Sequence, residues 1–586
     1  MKPSAVSQPE VAAKPPYILH STRSGSCWNY LLENKSSQDL CVAEVTLGCV
    51  DCPGCTFFGE GFNMLSQYGG PVEAPQDIGE YSDRAHYRMP TVPDAFTVYN
   101  FLHLTTPDGV HHLLAFASCH RFRGEFRLSG SRVTIVLNLE NYLLHPGEKL
   151  ALEELFIEAG RDVEVLYDRM AACIASNHPR LLPRERNLSG WCSWYAYGEH
   201  LTREDLLENL EFASREFPEI RYFLIDDGYE NRLGDWLEPN PDCGDTGELC
   251  RIIREHGKKP AIWVAPFIAE KDSRLLAEHP DWFVQGDDGR PLCSADVTFG
   301  GWRRGPWYIL DTTHPQALDY LYKVFRHMKK KWKCDYFKLD ANNWGALPFG
   351  RRHRRGATAV EAYRQGMFTI LSAIGADSTL LGCNAPLWPS LGLVHSMRVS
   401  GDIFRSWKQI RQVSLECFHR TYMRDRLWCN DPDCALVHNI PLSVYNAGGD
   451  LSDAKTAVTR DEFVYLLTAA LAAGSAKFLG DPLPELDAEE LRLLHKFLHI
   501  ELRNVRFTEA DFSAAEARDL KGRHYRILFN TTDRPVMRSL SLRGWPAVRD
   551  YWTDERLPVE NGRLALPVPA HGARLIRRTT SSRPAG

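Results

Sequence analysis

Short runs that mix hydrophobic and polar positions fill the first quarter of the chain. CVAEVTLGCV, FTVYNFLHLT, HHLLAFASC, FRLSG and RVTIVLNLE are separated by Gly, Pro and Asp. Runs of this kind are typical of β-strands joined by turns. We therefore predict an N-terminal β-sandwich over residues 17–160, preceded by a disordered tail at 1–16. A linker helix is predicted within 161–187, where Leu166, Met170 and Ile174 share one face.

A second pattern, short apolar runs alternating with amphipathic segments, covers residues 188–504. The apolar runs are SGWCSWY, YFLIDD, AIWVAPF, YFKLD, LLGCNA, MRVSGD, RLWCND and AKFLGD. Parallel strands that are covered by helices on both faces have this pattern. Eight such units predict a (β/α)8 barrel. The alternative, an open doubly wound sheet, is disfavoured because no Gly-x-Gly-x-x-Gly follows the first strand.

Strand patterns return after the barrel. HYRILFN, SLSLRGWP, RLALPVPA and ARLIRR predict a small C-terminal β-sandwich at 505–578, followed by a polar tail at 579–586. The predicted fold class is therefore α/β, a central (β/α)8 TIM barrel flanked by two β-sandwiches.

Composition and charge exclude several classes of protein. The 586 residues carry 69 Lys and Arg against 75 Asp and Glu, a net charge of −6, whereas a nucleic-acid binder would usually show a basic excess. The N-terminal segment lacks the apolar run of about 7–15 residues that is typical of a secretory signal, so we do not expect one. The longest apolar stretch, Phe463–Ala473, is too short to span a bilayer. We expect a cytoplasmic protein without nucleic-acid or membrane partners; whether it forms a homo-oligomer stays open.

The 16 cysteines are scattered, and in the cytoplasm most should be free, buried thiols. Cys49, Cys52 and Cys55, with Cys41 upstream, have a spacing that can hold zinc or an iron–sulfur cluster. No fourth Cys follows at ferredoxin spacing, and Pro53-Gly54 indicates a tight turn there. We favour the turn and expect neither a metal nor a cofactor.

Carboxylates follow the predicted barrel strands. They are Asp226, Asp227, Asp340, Asp402, Asp431 and Asp481. The carboxyl ends of the strands form the active-site face of such a barrel, although a single Asp there more often caps the next helix. No His accompanies these acids, whereas Trp191, Trp194 and Trp263 lie on strands that lead to the same face. This mixture suits a sugar better than a divalent cation.

Two spacings pair a cation with an acid. Lys338 and Asp340 lie on the same side of a strand because side chains alternate, so the ammonium should keep Asp340 ionised. An ionised carboxylate in this position is a candidate nucleophile. Arg398 and Asp402, four residues apart, can reach the same face. Each pair could equally be a structural ion pair at the rim of the barrel.

Together these motifs resemble the α-galactosidase clan, most closely glycoside hydrolase family 36, with kinship to family 27. The motifs are, in chain order, Gly190-Trp191-Cys192-Ser193-Trp194, Ile225-Asp226-Asp227-Gly228-Tyr229, Trp263 in AIWVAPF, the segment HPDWFV from His279, Tyr308-Ile309-Leu310-Asp311, Tyr336-Phe337-Lys338-Leu339-Asp340 and Arg398-x-x-x-Asp402. They occur in the family's order, and the resemblance extends to the arrangement of sandwich, barrel and sandwich.

The resemblance implies roles for the acids. Asp340 is similar to the catalytic nucleophile and Asp402 to the general acid/base, with carboxylates about 5–5.5 Å apart in a retaining enzyme. Asp226 and Asp227 are similar to the acids that bind O4 and O6 of the sugar. The acid/base must begin protonated, so we expect the pKa of Asp402 to be raised while Lys338 lowers that of Asp340.

The resemblance also implies roles for five further residues. Lys338 is similar to the lysine that contacts hydroxyls beside the nucleophile, and Arg398 to the arginine that precedes the acid/base. Trp191 and Trp263 are similar to subsite walls, and Cys383 stands at the C2 side of the sugar.

The sequence departs from the family pattern in two places. A Gly-rich run is replaced by the segment 383–386, CNAP, and a Trp-x-Ser-Asp-Asp form by the segment 397–402, MRVSGD. Both departures bear on the C2 side and the aglycone, the part of the substrate beyond the sugar.

The predicted function is that of a retaining α-glycosidase acting on terminal, non-reducing α-D-galactosides of oligosaccharides or glycoconjugates, without a cofactor. The alternatives are an α-N-acetylgalactosaminidase, a galactosyl transferase of the raffinose-synthase type and, disfavoured by the two retained Asp residues, a non-catalytic carbohydrate-binding barrel. The basic loop Arg351–Arg355 follows the nucleophile strand; it is either a solvated loop or a lid over the aglycone.

Overall fold

The computed structural model describes residues 16–185, 188–440, 457–545 and 547–579. The predicted tails, apart from Pro16 and Thr579, and the last two residues of the predicted linker lie outside the described residues. Within the described residues no helix is both long and apolar enough to cross a membrane.

The N-terminal part of the chain forms two antiparallel sheets. Its strands are β1 (Tyr17–Ser24), β2 (Cys27–Asn34), β3 (Leu40–Asp51), β4 (Thr56–Glu60), β5 (Gln67–Pro71), β6 (Gln76–Asp77), β7 (Phe96–Tyr99), β8 (Phe101–Thr105), β9 (His111–Phe116), β10 (Arg123–Ser129), β11 (Arg132–Leu144), β12 (Lys149–Ala151) and β13 (Leu155–Gly160). One sheet has the order β1-β2-β13-β9-β8-β4-β5-β6, with β12 on β2, and the other the order β3-β11-β10-β7. Inward-facing side chains such as Leu114, Phe126 and Ile135 are buried between them.

Eight parallel strands form the central sheet. They are β14 (Ser189–Cys192), β15 (Tyr222–Ile225), β16 (Lys259–Val264), β19 (Tyr336–Leu339), β20 (Thr379–Gly382), β21 (Ser396–Arg398), β22 (Cys429–Asp431) and β23 (Lys477–Leu479), while the short hairpin β17 (Ile268–Glu270) and β18 (Trp307–Ile309) lies apart from them. Their order is β22-β21-β20-β19-β16-β15-β14-β23. A parallel bridge between Ala435 and Leu479 nearly closes the ring. The eight predicted strands and the barrel are therefore confirmed. We call the end of the barrel at the carboxyl ends of these strands the mouth, and the opposite end the base.

Helices surround the barrel. They are α1 (Val163–Asn177), α2 (Trp194–Tyr197), α3 (Arg203–Glu216), α4 (Thr246–Glu255), α5 (Arg274–Glu278), α6 (Ser294–Val297), α7 (Pro315–His327), α8 (Ala359–Ile374), α9 (Trp407–His419), α10 (Arg460–Ala473) and α11 (Ala488–His499). The longest apolar stretch, at 463–473, lies in α10, which is buried from Glu462 to its end. It is apolar all round because it packs against α9, α11 and the C-terminal strands β24 and β31 described below.

The C-terminal part of the chain forms one six-stranded and one two-stranded antiparallel sheet. The strands are β24 (Leu502–Phe507), β25 (Ala514–Asp519), β26 (His524–Asn530), β27 (Val536–Ser541), β28 (Ala547–Asp550), β29 (Arg556–Leu557), β30 (Arg563–Val568) and β31 (Gly572–Thr579). The larger sheet has the order β24-β25-β26-β31-β28-β29, and β27 pairs with β30. A small apolar cluster that includes Leu528, Val548, Leu564 and Ile576 lies between the two sheets.

The cysteines differ from the sequence prediction in one respect. Cys27 on β2 and Cys173 on α1 form a disulfide, whereas most others are buried thiols as expected. The segment around Pro53-Gly54 is a turn, closed by the bond from Cys55 N to Cys52 O.

Candidate active site

Asp340 lies at the mouth, directly after β19. The indole Nε1 of Trp263, on the neighbouring strand β16, donates to Asp340 Oδ2 at 3.1 Å. The backbone N–H of Ala341 donates to Oδ1 at 2.7 Å. Each oxygen of the carboxylate therefore has a donor, and its orientation is fixed. Trp263 is buried beside the carboxylate, as a residue that lines a subsite would be.

Lys338 contacts Asp226 rather than Asp340. Its ammonium donates to Asp226 Oδ2 at 2.9 Å, and the thiol of Cys192 lies 3.2 Å from the same oxygen. Strand parity predicted correctly that Lys338 points into the barrel. It could not predict the partner, which comes from β15, across β16.

The pKa of Asp340 is raised above its usual range, mainly because the carboxyl is buried. The charge of Lys338 lowers this pKa and that of Asp402 raises it again. The expectation that Lys338 holds the pKa of Asp340 down is therefore wrong for the ligand-free protein, because burial outweighs the effect of the ammonium.

Asp402 is held by Arg398, as the four-residue spacing predicts. Arg398 Nη2 donates to Asp402 Oδ1 at 2.9 Å and to Asp433 Oδ2 at 2.9 Å. Asp433 also accepts from the hydroxyl of Tyr195 and from the backbone N–H of Ile403. The Arg398 guanidinium is buried, whereas 46% of the Asp402 side chain is exposed at the mouth.

The pKa of Asp402 is lowered, contrary to the expectation from the sequence. Removal from bulk water raises it, but Arg398, with help from Lys338 and Tyr195, outweighs that effect and holds the pKa below its usual range. The ligand-free site therefore favours a proton on Asp340 over one on Asp402. This is the reverse of the distribution that a retaining enzyme needs for its first step.

Two glutamates that the sequence analysis missed support the loop of Asp402. Glu416 on α9 accepts from the backbone N–H of Gly401 at 2.7 Å through one oxygen and from that of Glu80 at 2.6 Å through the other. Gln409 bridges Glu80 Oε1 to the carbonyl of Asp402, at 3.1 and 2.7 Å. Gly401 allows this approach, since a Cβ there would lie 1.6 Å from Glu80 Oε2 and the Glu80 side chain would have to move. The loop is thus fastened to the N-terminal part of the chain.

Asp227 is paired with an arginine that strand patterns could not reveal. Arg303, in the segment between β17 and β18, lies 2.9 Å from Asp227 Oδ1 and 3.2 Å from Glu230. It also donates to Glu199. Burial and the neighbouring Glu230 raise the pKa of Asp227 well above its usual range although Arg303 lowers it. Neither oxygen of this buried carboxyl has a well-aligned hydrogen bond in the described residues, and Oδ2, which is not paired with Arg303, is left without a polar partner there.

Cys383 follows β20 at the mouth and lies next to Arg398; Asn384 comes directly after it. Arg398 Nη1 lies 3.7 Å from the Cys383 sulfur. Asn384 adopts a positive φ of 41°, which asparagine tolerates better than most residues. Its side-chain oxygen accepts from Asn63 and from Tyr87, each at 2.9 Å. The N-terminal part therefore also fixes the segment after Cys383.

Trp191 does not line the mouth, which corrects one predicted subsite wall. It is fully buried, its indole donates to the carbonyl of Asp481, and its ring stacks on Phe223 at 4.4 Å. Because Cys192 contacts Asp226 inside the barrel, alternation turns Trp191 outward. Trp194, three residues later, is partly exposed.

Two other acids that follow barrel strands, Asp431 and Asp481, make their contacts with groups of the protein itself. Asp481 is buried in an ion pair with Arg405 and accepts from the backbone N–H of Val437. Asp431 accepts from the backbone N–H of Asp433, and burial raises its pKa to about 6. Neither makes a direct contact with Asp340 or Asp402 among the interactions of the described residues.

The basic loop after β19 is anchored through its backbone. His353 N donates to Asp311 Oδ2, and Arg354 N donates to Thr313 Oγ1 at 3.0 Å. Arg354 and Arg355 are exposed. The loop is therefore held in place, and it presents cations to solvent.

The mouth thus carries two carboxylates, one oriented by an indole and one by a guanidinium, and a pair of carboxylates is what most glycosidases use. The family model for melibiase matches residues 191–379, which include Asp226, Asp227, Lys338 and Asp340. The barrel therefore carries a match to melibiase over about a third of the chain, which relates it to the α-galactosidase clan.

Curated relatives align over limited segments. Alpha-galactosidase 2 of Pediococcus pentosaceus is 25% identical over 157 residues, which are 26% of this chain and 20% of the relative. The A type blood alpha-D-galactosamine galactosaminidase of Flavonifractor plautii is 31% identical over 155 residues, 26% of this chain and 14% of the relative. The aligned segments thus span about a fifth or less of these relatives.

A solved structure matches over most of the chain. The α-galactosidase of Thermus thermophilus in complex with p-nitrophenyl α-D-galactopyranoside has a TM-score of 0.64 and 23% identity, covering 85% of this chain and 98% of that chain. This likeness supports the fold, a TIM barrel accompanied by β-rich parts.

Proposed function

We propose that the protein is a retaining α-glycosidase that hydrolyses terminal, non-reducing α-D-galactosides. The observation that carries the proposal is the pair Asp340 and Asp402 at one mouth, each oriented by a different donor, Trp263 and Arg398. The melibiase match and the α-galactosidases among the relatives support the choice of sugar.

The reaction has two steps. Asp340 attacks the anomeric carbon, the bond to the leaving oxygen breaks, and Asp402 gives that oxygen its proton. In the second step Asp402 takes a proton from a water molecule while the water oxygen attacks the anomeric carbon. The bond between that carbon and Asp340 breaks, and the free carboxylate is restored. The configuration is retained because the carbon is inverted twice. For this geometry we expect the two carboxylates to be about 5–5.5 Å apart.

The ligand-free protonation state has a kinetic consequence. The form with ionised Asp340 and protonated Asp402 is a minority, because the pKa of Asp340 is raised and that of Asp402 is lowered. A substrate whose leaving oxygen takes the proton of Asp402 selects this minority form. The two carboxyls interact, so the limbs of a pH–rate profile belong to the pair.

The sugar-binding acids lie beside the nucleophile. Asp226 accepts from Lys338 at 2.9 Å, and the buried carboxyl of Asp227, paired with Arg303 through Oδ1, has no hydrogen-bond partner on Oδ2 among the described residues. A site built to hydrogen-bond a hydroxyl rejects the epimer that misplaces it, because buried polar groups are then left unpaired. We infer that these two acids select galactose over glucose.

At C2 the proposal favours galactose over N-acetylgalactosamine. Asn384 is held by Asn63 and Tyr87, and the backbone of the segment 385–387 bonds to the segment 62–64. An acetamido group would have to displace this fixed segment. The galactosaminidase among the relatives makes N-acetylgalactosamine the second candidate. Transfer to a sugar acceptor, the third, keeps the same residues.

One set of assays tests the proposal. The values of kcat/KM for p-nitrophenyl α-D-galactoside, its N-acetylated analogue and the α-glucoside should fall in that order. Faster turnover of the N-acetylated substrate would change the named sugar while keeping the mechanism. No turnover of any α-glycoside by the folded protein would contradict the proposal. More transfer than hydrolysis when raffinose is added would favour the transferase. The cytoplasmic location and homo-oligomerisation stay predictions of the sequence.

A further inference from the structure

Three metal-binding side chains meet at the base of the barrel, far along the strands from the mouth. Glu219 lies between α3 and the amino end of β15, and His495 and His499 lie one turn apart on α11. The end of α11 is fixed to the base because Lys477, which begins β23, donates to the carbonyls of Leu498 and Ile500. One ligand atom from each of these three side chains lies within 4.8 Å of the other two, a grouping that could hold a metal ion.

The distances between these atoms are compatible with a shared metal ion, although Glu219 and His495 are also within hydrogen-bond distance. Glu219 Oε1 lies 3.3 Å from His495 Nδ1 and 3.7 Å from His499 Nδ1. Hydrogen bonds between N–H and O are usually about 2.7–3.2 Å long. Zinc binds His nitrogen and carboxylate oxygen at about 2.0–2.2 Å, so neighbouring ligands of a tetrahedral ion are about 3.4 Å apart. The first distance matches this edge, whereas His499 must turn its ring to bind the ion, because its Nδ1 is held by the carbonyl of His495.

The donor set selects the kind of ion. Two imidazoles and one carboxylate suit zinc and other late transition metals, whereas Ca²⁺ and Mg²⁺ prefer sites made of oxygen alone. Two His residues spaced i, i+4 lie on one face of a helix and can share an ion. We propose that Glu219, His495 and His499 bind one Zn²⁺ ion, with water in the fourth position. This proposal is independent of the proposed activity.

The surroundings allow the ion to bind. Glu219 lies near the ammonium of Lys258, which donates to the carbonyls of Phe217 and Ile220, each at 2.8 Å, and so holds the segment that carries Glu219. His495 is oriented by packing on the ring of Phe217, with centroids 4.7 Å apart. His499 Nδ1 donates to the carbonyl of His495 at 2.7 Å. Since two thirds of the His499 side chain is exposed, its ring can turn and present a free nitrogen to the metal.

An ion here would join the barrel to its last helix. Glu219 lies just before β15, the second barrel strand, and α11 leads directly into β24 of the C-terminal sheet. The same helix holds the C-terminal part through Lys496, which donates to the carbonyl of Tyr551 at 2.7 Å. Zinc should therefore stabilise the attachment of the C-terminal part to the barrel and raise Tm.

Zinc binding is measured on the full chain, without a histidine tag. Because Cys41 is an exposed thiol, the Cys41→Ser variant serves as the background. Equilibrium dialysis with ZnCl₂ and metal analysis should give one equivalent per chain. Cobalt(II) at the same site should show a d–d spectrum without a thiolate charge-transfer band. Glu219→Gln, His495→Ala and His499→Ala should each weaken binding by about tenfold or more. His145→Ala, an exposed histidine paired with Asp39, is the matched control and should bind as the background does.

Thermal unfolding is measured for every variant, because a variant that folds poorly would also bind less zinc. Zinc should raise Tm of the background and the His145→Ala control, and leave Tm of the three ligand variants unchanged. Two results would overturn the site: no equivalent of zinc bound by the background, or binding that the ligand substitutions do not weaken. A thiolate band in the cobalt spectrum would likewise assign the metal to cysteine and overturn it.

Discussion

Replacing Trp263 by Phe removes one hydrogen-bond donor from Asp340 and keeps an aromatic ring on β16. The indole Nε1 of Trp263 donates to Asp340 Oδ2 at 3.1 Å, and the other oxygen keeps its bond from Ala341 N at 2.7 Å. The indole bond stabilises the ionised carboxylate and lowers its pKa. Without it the pKa of Asp340 rises further, and ionising the nucleophile takes a higher pH.

The size of the effect follows from the bond. A hydrogen bond to a charged group contributes about 1.5–3 kcal/mol. At 3.1 Å the bond is longer than the ~2.7–2.9 Å of strong charge-assisted bonds, so we take the lower value. About 1.4 kcal/mol corresponds to a factor of ten in rate. We therefore expect Trp263→Phe to lower kcat/KM about tenfold at pH values below both limbs. Because Asp340 has the higher pKa of the pair, the alkaline limb should move to higher pH.

The assay is kcat/KM for p-nitrophenyl α-D-galactoside as a function of pH. Trp236→Phe is the matched control, because Trp236 is buried and packs edge-on against Trp263, with centroids 5.9 Å apart. It changes the same packing and leaves the donor in place, so its alkaline limb should stay where the wild-type limb is. An unmoved limb in Trp263→Phe, or an equal shift in the control, would refute the reasoning.

Three further predictions concern the acids. Asp402→Ala should lower kcat/KM about 100- to 10,000-fold on substrates with poor leaving groups and far less on dinitrophenyl galactoside; equal losses across a leaving-group series would contradict the acid/base role. Asp402→Asn leaves Asp340 as the titrating carboxyl of the pair and removes a charge that raises its pKa, so the limb that remains on dinitrophenyl galactoside should lie below the alkaline limb of the wild type, and a limb at higher pH would contradict the coupling. Asp227→Asn should reduce the preference for galactoside over glucoside about tenfold or more in kcat/KM; an unchanged ratio would remove Asp227 from sugar recognition.

Strand periodicity predicted much of the barrel and of the mouth. Short apolar runs identify parallel strands, and side-chain alternation placed Lys338, Asp340, Arg398 and Asp402 on the inner side. Alternation gives no information about the distances between side chains on different strands. For this reason it paired Lys338 with Asp340, although the direct partner is Asp226. The protonation states depend on the same distances and on burial, so their predicted directions were wrong.

Residues outside the strands could not be placed from the sequence. Arg303 reaches Asp227 from the segment between β17 and β18, and Glu80 and Tyr87 approach the mouth from the N-terminal part, more than 250 positions before their partners at the acid/base and C2 sides. No local pattern encodes such long-range contacts. Trp191 was misplaced because a tryptophan on a barrel strand can face the core or the helices, and only its parity relative to Cys192 decides between them.

The identity of the nucleophile is the central claim, and covalent trapping tests it most directly. A fluorinated α-galactosyl donor with a good leaving group slows the second step, so that the galactosyl-enzyme accumulates. Peptide mass spectrometry should then find one sugar per chain on the peptide that contains Asp340, and none in the Asp340→Asn variant. A label on Asp402 or on another residue, or full inactivation without any covalent sugar, would contradict the account.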